Sequence, residues 1–362
     1  MHFEIKGSSL ISNVTTVERA IATIDQNPSL TGILISANNN QLTLTANNLQ
    51  IAIQTKTECT TFEPGEHIVD GRLFSQLVRK LPNDNVIIQF TNNQVLISAA
   101  TMEFSLNTIT TEEFPEYPDC TEQIFTLTDY ELNRLIKFSS FASSNDDHQP
   151  IFSGVLMEIE NNDLQFVATD SNRLAYVKAE TGETFVQEGQ FIIPKANAQE
   201  LLQCLPLTET KIDVLYGHNQ LAFKFDNTIF TTRLIDGKFP NYKNVIFTEQ
   251  KTSLVVKRQQ FIQALERASL FGRVEKVPVI IRVTDGVLEI ETTSKLGQSQ
   301  EQYNVEQNGP NEKAAFSPKF ILDMLKTMED DQVEFRYEGA RQALIKSSES
   351  NNRLYIIMPI RI

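Results

Sequence analysis

The sequence predicts an α+β fold of three repeated domains, each with two helices packed on antiparallel sheet. Three observations lead there. Two helical segments recur three times in register, the stretches between them alternate apolar and polar residues, and an aromatic linker recurs between units. A chain of 362 residues has room for two or three domains with cores of their own. The repeats set the boundaries at 1–123, 124–247 and 248–362.

Each unit opens alike. Phe3–Ala20, Phe125–Ala142 and Leu254–Phe271 begin as short alternating strands and then turn helical. Phe3, Phe125 and Leu254 correspond, as do Ile5, Leu127 and Val256. The helical pairs Leu10/Val14, Leu132/Ile136 and Phe261/Leu265 keep the i, i+4 spacing of one helix face. A second helix follows Ile68-Val69-Asp70, Ile192-Ile193-Pro194 and Phe316-Ser317-Pro318, with Asp70, Pro194 and Pro318 spaced by 124 residues both times. Proline fits a first helical turn, where its missing N–H costs nothing, and Asp70 or Ser317 can cap. The expected helices are Ser8–Ile24, Asp70–Leu81, Thr128–Phe141, Pro194–Leu205, Lys257–Lys276 and Ser317–Met328.

The remaining elements read as strands. Gln41–Leu44, Val86–Phe90, Val155–Ile159, Ile212–Leu215, Val279–Val283 and Val333–Tyr337 alternate with period two. Asn-Asn, Gly-His-Asn and Asp-Gly break these runs as hairpin turns do. The linkers are Phe114-Pro115-Glu116-Tyr117 and Phe239-Pro240-Asn241-Tyr242.

Composition narrows the class. Hydrophobic residues make up 41%, ordinary for a folded protein, and the longest apolar runs are strand-sized, too short to span a membrane. The N-terminus lacks the basic and apolar regions of a signal peptide, and Cys59, Cys120 and Cys204 lie too far apart for a disulfide framework or zinc site. A soluble protein of a reducing compartment, the cytoplasm, is expected. No phosphate loop, dinucleotide fingerprint, nucleophile elbow or HExxH motif is present. The one dense acid/histidine cluster, Asp146-Asp147-His148, follows a helix end. It supplies the alternative reading, an acidic α+β enzyme with an unrecognised metal site.

Charge is unevenly placed. The chain carries 46 acidic and 32 basic side chains, a net charge of −14, which speaks against a conventional nucleic-acid binder. The six helical segments nevertheless sum to +6, leaving −20 for the rest. Mildly basic helices on an otherwise acidic protein would make a weakly attractive, sequence-blind surface for phosphate.

Several motifs carry a resemblance along essentially the full length. They are Ala168-Thr169-Asp170-Ser171-Asn172-Arg173-Leu174-Ala175, Asp236-Gly237-Lys238-Phe239-Pro240-Asn241-Tyr242, Phe104-Ser105-Leu106 and the terminal Tyr355-Ile356-Ile357-Met358-Pro359-Ile360-Arg361-Ile362. With them the chain resembles the bacterial DNA polymerase III β subunit, the replication sliding clamp. The resemblance implies three clamp domains, and two chains joined head to tail in a ring whose helices surround duplex DNA without sequence preference. It implies no catalysis and no cofactor or metal. The implied partners are the replicative polymerase's catalytic subunit, the clamp loader and repair proteins, with no membrane.

The implied sites follow. Candidates for facing DNA are Arg72, Arg79, Lys80, Lys195, Arg258, Arg267, Arg273 and Lys319. The dimer joint would set Phe104 and Leu106 against Leu270 and Phe271. The peptide pocket would use Phe152, Thr169, Arg173, Leu174, Pro240, Val245, Met358, Pro359 and Ile360, with Arg361 at its edge. Read from the residues alone, Leu270-Phe271 fits a buried helix terminus equally well, and Ile356–Ile360 a last core strand. The chain departs from the family at Ser171-Asn172, where Gly-His is common, and at Asn244 and Gln149, where rim arginines are common. The loop at Asn27-Pro28 also lacks the arginine often found before that proline.

Overall fold

The computed structural model describes residues 1–23, 27–91, 93–109, 114–146, 148–180, 185, 188–246, 250–272, 277–348 and 351–361. Among them are seven α-helices: α1 (Gly7–Val17), α2 (Gly71–Val78), α3 (Asp129–Ser140), α4 (Lys195–Cys204), α5 (Lys243–Ile246), α6 (Arg258–Gly272) and α7 (Pro318–Thr327). Six of these are the expected helices, and α5 is a single turn after the second linker. Expectation and structure differ most at α1, expected to reach Ile24. Regular helix ends at Val17 and a 3-10 turn covers Glu18–Ala20. The β-branched run Thr15-Thr16-Val17 is stiff in a helix, and the Thr16 hydroxyl donates back to the Ser12 carbonyl at 3.1 Å.

The chain divides into two compact units, residues 1–130 with 200–234 and residues 131–199 with 235–362. Two of the three cuts fall inside α3 and α4 and the third follows Leu234, so the middle repeat contributes to both units.

A thirteen-stranded antiparallel sheet organises the first unit. Strands Glu122–Thr128, Lys211–Gly217, Gln220–Phe225 and Thr228–Arg233 come from the middle repeat. The order continues with Ile51–Glu58, Gln41–Asn47, Gly32–Asn38 and Gly65–Asp70 from the first, then Met102–Ile109, Gln94–Ala99, Asn85–Thr91, His2–Lys6 and Thr60–Glu63. The repeats are joined by a backbone ladder, with Thr231 opposite Ala52 and Thr232 opposite Ile51. Helix α1 buries Leu10, Val14 and Val17. Helix α2 starts where the Asp70 carboxylate accepts the Leu73 N–H at 2.7 Å.

The second unit holds a nine-stranded and a four-stranded antiparallel sheet. In the larger, Gly189–Pro194, Gly154–Glu160, Asp163–Thr169 and Arg173–Lys178 are followed by Arg353–Ile357, Ala343–Ser347, Gln332–Tyr337, Thr252–Lys257 and Glu306–Asn308. The middle and last repeats are again laddered together, Leu174 opposite Ile356 and Arg173 opposite Ile357. The smaller sheet runs Gly297–Asn304, Val287–Ser294, Val279–Thr284 and Glu312–Phe316.

The expected hairpin turns are where the sequence puts them. Asn39-Asn40, Asn161-Asn162, His218-Asn219 and Asp285-Gly286 all have positive φ at both positions, as two-residue hairpin loops require. The repeat also shows in close packing. A Cβ on Gly32 would lie 2.3 Å from Ile68 Cγ2, and one on Gly154 would lie 2.4 Å from Ile192 Cγ2. Only glycine lets those strands approach so closely. No helix among the described residues is long and apolar enough to cross a membrane.

Candidate functional site

A recess in the second unit is built on a hairpin turn. Between strands Asp163–Thr169 and Arg173–Lys178, the Asp170 carboxylate accepts the N–H groups of Asn172 and Arg173, both at 3.0 Å. The Thr169 hydroxyl donates to the Arg173 carbonyl at 2.6 Å. Ser171, between them, is held at φ +74°. Glycine adopts that left-handed conformation freely; serine adopts it at a cost of about 1 kcal/mol. Across the hairpin, the Met358 N–H donates to the Asn172 carbonyl at 2.8 Å and carries the last strand's pairing past Ile357.

The linker closes the recess. Phe239 and Tyr242 are buried in a cluster with Leu156, Leu174, Leu344 and Ile356, and Val245 of α5 packs against it. The resulting cavity of about 210 Å³ is lined by Phe152, Thr169, Ser171, Asn172, Arg173, Leu174, Pro240, Asn241, Tyr242, Val245, Ile356 and Met358. Its apolar walls and adaptable Met358, 42% exposed, suit an apolar side chain entering from solvent.

Two buried charge networks hold this frame. Glu158, 3% exposed, accepts hydrogen bonds from the Tyr242 hydroxyl, Gln165 and Gln190. Burial pushes its carboxyl up, but Tyr242, Gln190, the Lys243 charge and Gln165 outweigh that and hold it below the ordinary carboxylate range. Burial and this carboxylate push the Tyr242 phenol well above its ordinary value, so it stays a donor. Arg173 is 8% exposed; its guanidinium donates to Asp170 at 2.9 Å, Asp323 of α7 at 2.6 Å and the Phe141 carbonyl at 2.9 Å. The rings of Phe141 and Phe320 lie 5.6 and 4.6 Å from it. Arg173 therefore ties the hairpin to the last repeat while its stem lines the recess.

Seven predicted pocket residues come together: Phe152, Thr169, Arg173, Leu174, Pro240, Val245 and Met358. Pro359, Ile360 and Arg361 do not line the cavity. The chain turns away after Met358, and the Ile360 N–H donates to the Ala315 carbonyl at 2.7 Å. Gln149 and Asn244 are also outside the lining. Sequence reasoning missed Asn241, Tyr242 and Ile356. The period-two step back from Met358 points to Ile356, and the linker motif itself contains Tyr242.

The predicted cations divide into two groups. Arg72 and Lys80 on or just after α2, and Lys319 on α7, are exposed and make no ion pair among the described residues. Four others are engaged. Arg79 pairs with Glu18. Lys195 donates to the Asn145 side chain at 2.8 Å and the Ser143 carbonyl at 3.3 Å. Burial and the Arg173 charge lower its pKa. Arg258 donates to the Asp330 and Leu325 carbonyls at 2.6 and 3.3 Å, satisfying the end of α7. Arg267 grips Glu301 with two bonds of 2.6 Å. Arg273 lies outside the described residues.

Several strand edges are open among the described residues, and two of them carry the residues expected at the joint. Met102–Ile109 pairs with Gln94–Ala99 along one side, while on the other only Thr108 and Ile109 have partners. Phe104 and Leu106 sit half-buried on this strand. In the second unit, Gly297–Asn304 pairs on one side only. Beside it Leu270 is 52% and Leu296 66% exposed, and Phe271 lies against Gly297. Leu270 is thus not a buried helix terminus within the chain.

At the acid/histidine cluster, the Asp146 carboxylate accepts the His148 N–H at 3.0 Å. Asp147 lies outside the described residues, and among those described no three potential ligands converge on a metal position.

Comparison with known proteins decides the family. Residues 1–118, 126–241 and 243–361 match, in order, the N-terminal, central and C-terminal domains of the DNA polymerase III beta subunit. The chain is 31% identical over 378 residues to the beta sliding clamp of Halalkalibacterium halodurans, covering all of both. The chain belongs to the DNA polymerase III beta subunit family. The crystal structure of the DNA polymerase sliding clamp from Bacillus subtilis is similar with a TM-score of 0.96 and 30% identity, covering 100% of this chain and 99% of that one. The Pseudomonas aeruginosa sliding clamp bound to griselimycin matches with a TM-score of 0.95 and 27% identity over the whole of both chains. As a member of this family the protein is a DNA sliding clamp of three clamp domains, a non-catalytic processivity factor.

Proposed function

We propose that two copies close head to tail into a ring around duplex DNA, and that the recess at Met358 captures short apolar peptides from the replicative polymerase. The observation that supports the ring is a pair of open strand edges, each with apolar side chains left partly exposed beside it. An edge on Met102–Ile109 with Phe104 and Leu106, and one on Gly297–Asn304 flanked by Leu270 and Phe271, are surfaces that an antiparallel strand from a second copy would satisfy. Because each copy carries both edges, the contact is heterologous and closes only if the rotation returns on itself.

Encirclement relaxes the demand on individual contacts. A topologically trapped ring needs only weak phosphate attraction, which leaves it free to slide. Arg72, Lys80 and Lys319 are the cations best placed for that work, because no ion pair among the described residues neutralises them. Arg79 and Arg267 become available only by giving up Glu18 and Glu301. A polymerase docked at the recess is held near the primer end at a high effective concentration without new base contacts. The clamp loader and repair proteins would compete for the same recess in the cytoplasm.

Light scattering combined with retention on DNA tests this reading. The expected result is a dimer that stays on nicked circles after loading and is lost when the circle is linearised. A monomer, or equal retention on both DNA forms, would overturn the ring.

A further inference from the structure

The first unit contains a second recess, of about 190 Å³, at the junction of the first two repeats. Its frame repeats the first one bond for bond. Thr231 opposite Ala52 matches Ile356 opposite Leu174. The Arg233 N–H donates to the Gln50 carbonyl at 2.9 Å, as Met358 does to Asn172 at 2.8 Å. The turn residue Leu49 has φ +67° where Ser171 has +74°. Pro115 of the first linker lines it as Pro240 of the second lines the other.

The side chains on this frame differ in kind. Ala52 stands for Leu174, Thr231 for Ile356 and Arg233 for Met358. The apolar floor is reduced and a guanidinium occupies the place of the flexible thioether. Arg233 is exposed, with no ion pair among the described residues. Leu49, 53% exposed, offers an apolar surface on the same rim.

We propose that this recess is a second peptide site, which takes a short extended segment through one carboxylate on Arg233 and one aliphatic side chain on Leu49. A guanidinium binds a carboxylate through paired, charge-assisted hydrogen bonds, so the acid fixes the segment's direction. Glu116, exposed at the rim, repels further negative charge and selects against acidic runs. A chain-terminal leucine meets both requirements with a single charge. This site is independent of the recess at Met358, and neither stands or falls with the other.

The test uses the full chain and a fluorescein-labelled Gly-Ser-Gly-Leu peptide, with its C-terminal amide as control, titrated at low and high salt. The acid should bind about tenfold more tightly than the amide, and the difference should shrink with salt. Arg233→Gln should abolish the difference, Leu49→Ser should weaken both peptides, and Met358→Ala should leave the difference standing. Circular dichroism melts would confirm that the variants fold. Equal binding of acid and amide, no binding at millimolar peptide, or a difference removed by Met358→Ala but not Arg233→Gln would each overturn the proposal.

Discussion

The two repeat junctions share a backbone and differ in what secures it. At the first, the Tyr117 hydroxyl reaches main-chain and neutral partners: the Ile229 carbonyl at 2.9 Å, the Thr231 hydroxyl at 3.0 Å and the Ala52 carbonyl at 3.3 Å. At the second, Tyr242 meets the buried carboxylate of Glu158, and Arg173 bridges to Asp323 in the last repeat. A ladder register copied from repeat to repeat fixes where a recess forms. A few side chains then decide what it holds and how firmly its walls stand.

The largest expected break in that parallel comes from Glu158→Ala. Removing a buried charge with several donors leaves Tyr242, Gln165 and Gln190 unsatisfied and should cost about 3–5 kcal/mol in urea unfolding. Among the described residues the first junction has no buried carboxylate of this kind to lose. Next, Met358→Glu should weaken a fluorescent Leu/Phe-containing pentapeptide at least a hundredfold at the second junction, by placing a charge where the anchor enters. Arg233→Glu should leave that affinity within about twofold.

Tyrosine-to-phenylalanine changes sharpen the contrast further. Tyr242→Phe removes a bond to a charged acceptor and should cost about 1.5–3 kcal/mol, Tyr117→Phe about 1 kcal/mol. A pH series isolates the charged partner at the second junction. Glu158 is held below the ordinary carboxylate value, so its contribution is present above about pH 4.3 and fades as pH falls through its lower folded value. Wild type should therefore lose more stability on acidification through that window than Glu158→Gln. The smallest effect is at the turns, where Ser171→Gly and Leu49→Gly should each change stability by no more than about 1 kcal/mol. Relief of the left-handed strain opposes the greater freedom of glycine in the unfolded chain.

Local signals in the sequence were reliable guides to local structure. Asn39-Asn40, Asn161-Asn162, the Asp70 cap and the i, i+4 apolar pairs all act within a few residues, and each is found where the pattern puts it. Long-range partners were not legible. Nothing near Thr228–Arg233 announces Ile51–Glu58 as its neighbour, and nothing near Arg173 announces Asp323. The same limit touches the charge argument, because Glu18 and Glu301 neutralise helix arginines from outside their helices. Tyr242 and Ile356 escaped notice for another reason: each serves both as buried core and as pocket wall.

The ladders between repeats have a mechanical consequence. Where Thr228–Arg233 zips onto Ile51–Glu58, and Arg173–Lys178 onto Arg353–Ile357, parting neighbouring repeats means breaking a row of main-chain bonds together. Such a seam resists tearing until its whole length yields. In the hoop proposed above, the joints between separate molecules would therefore gape before either of these seams, and a thread would pass there.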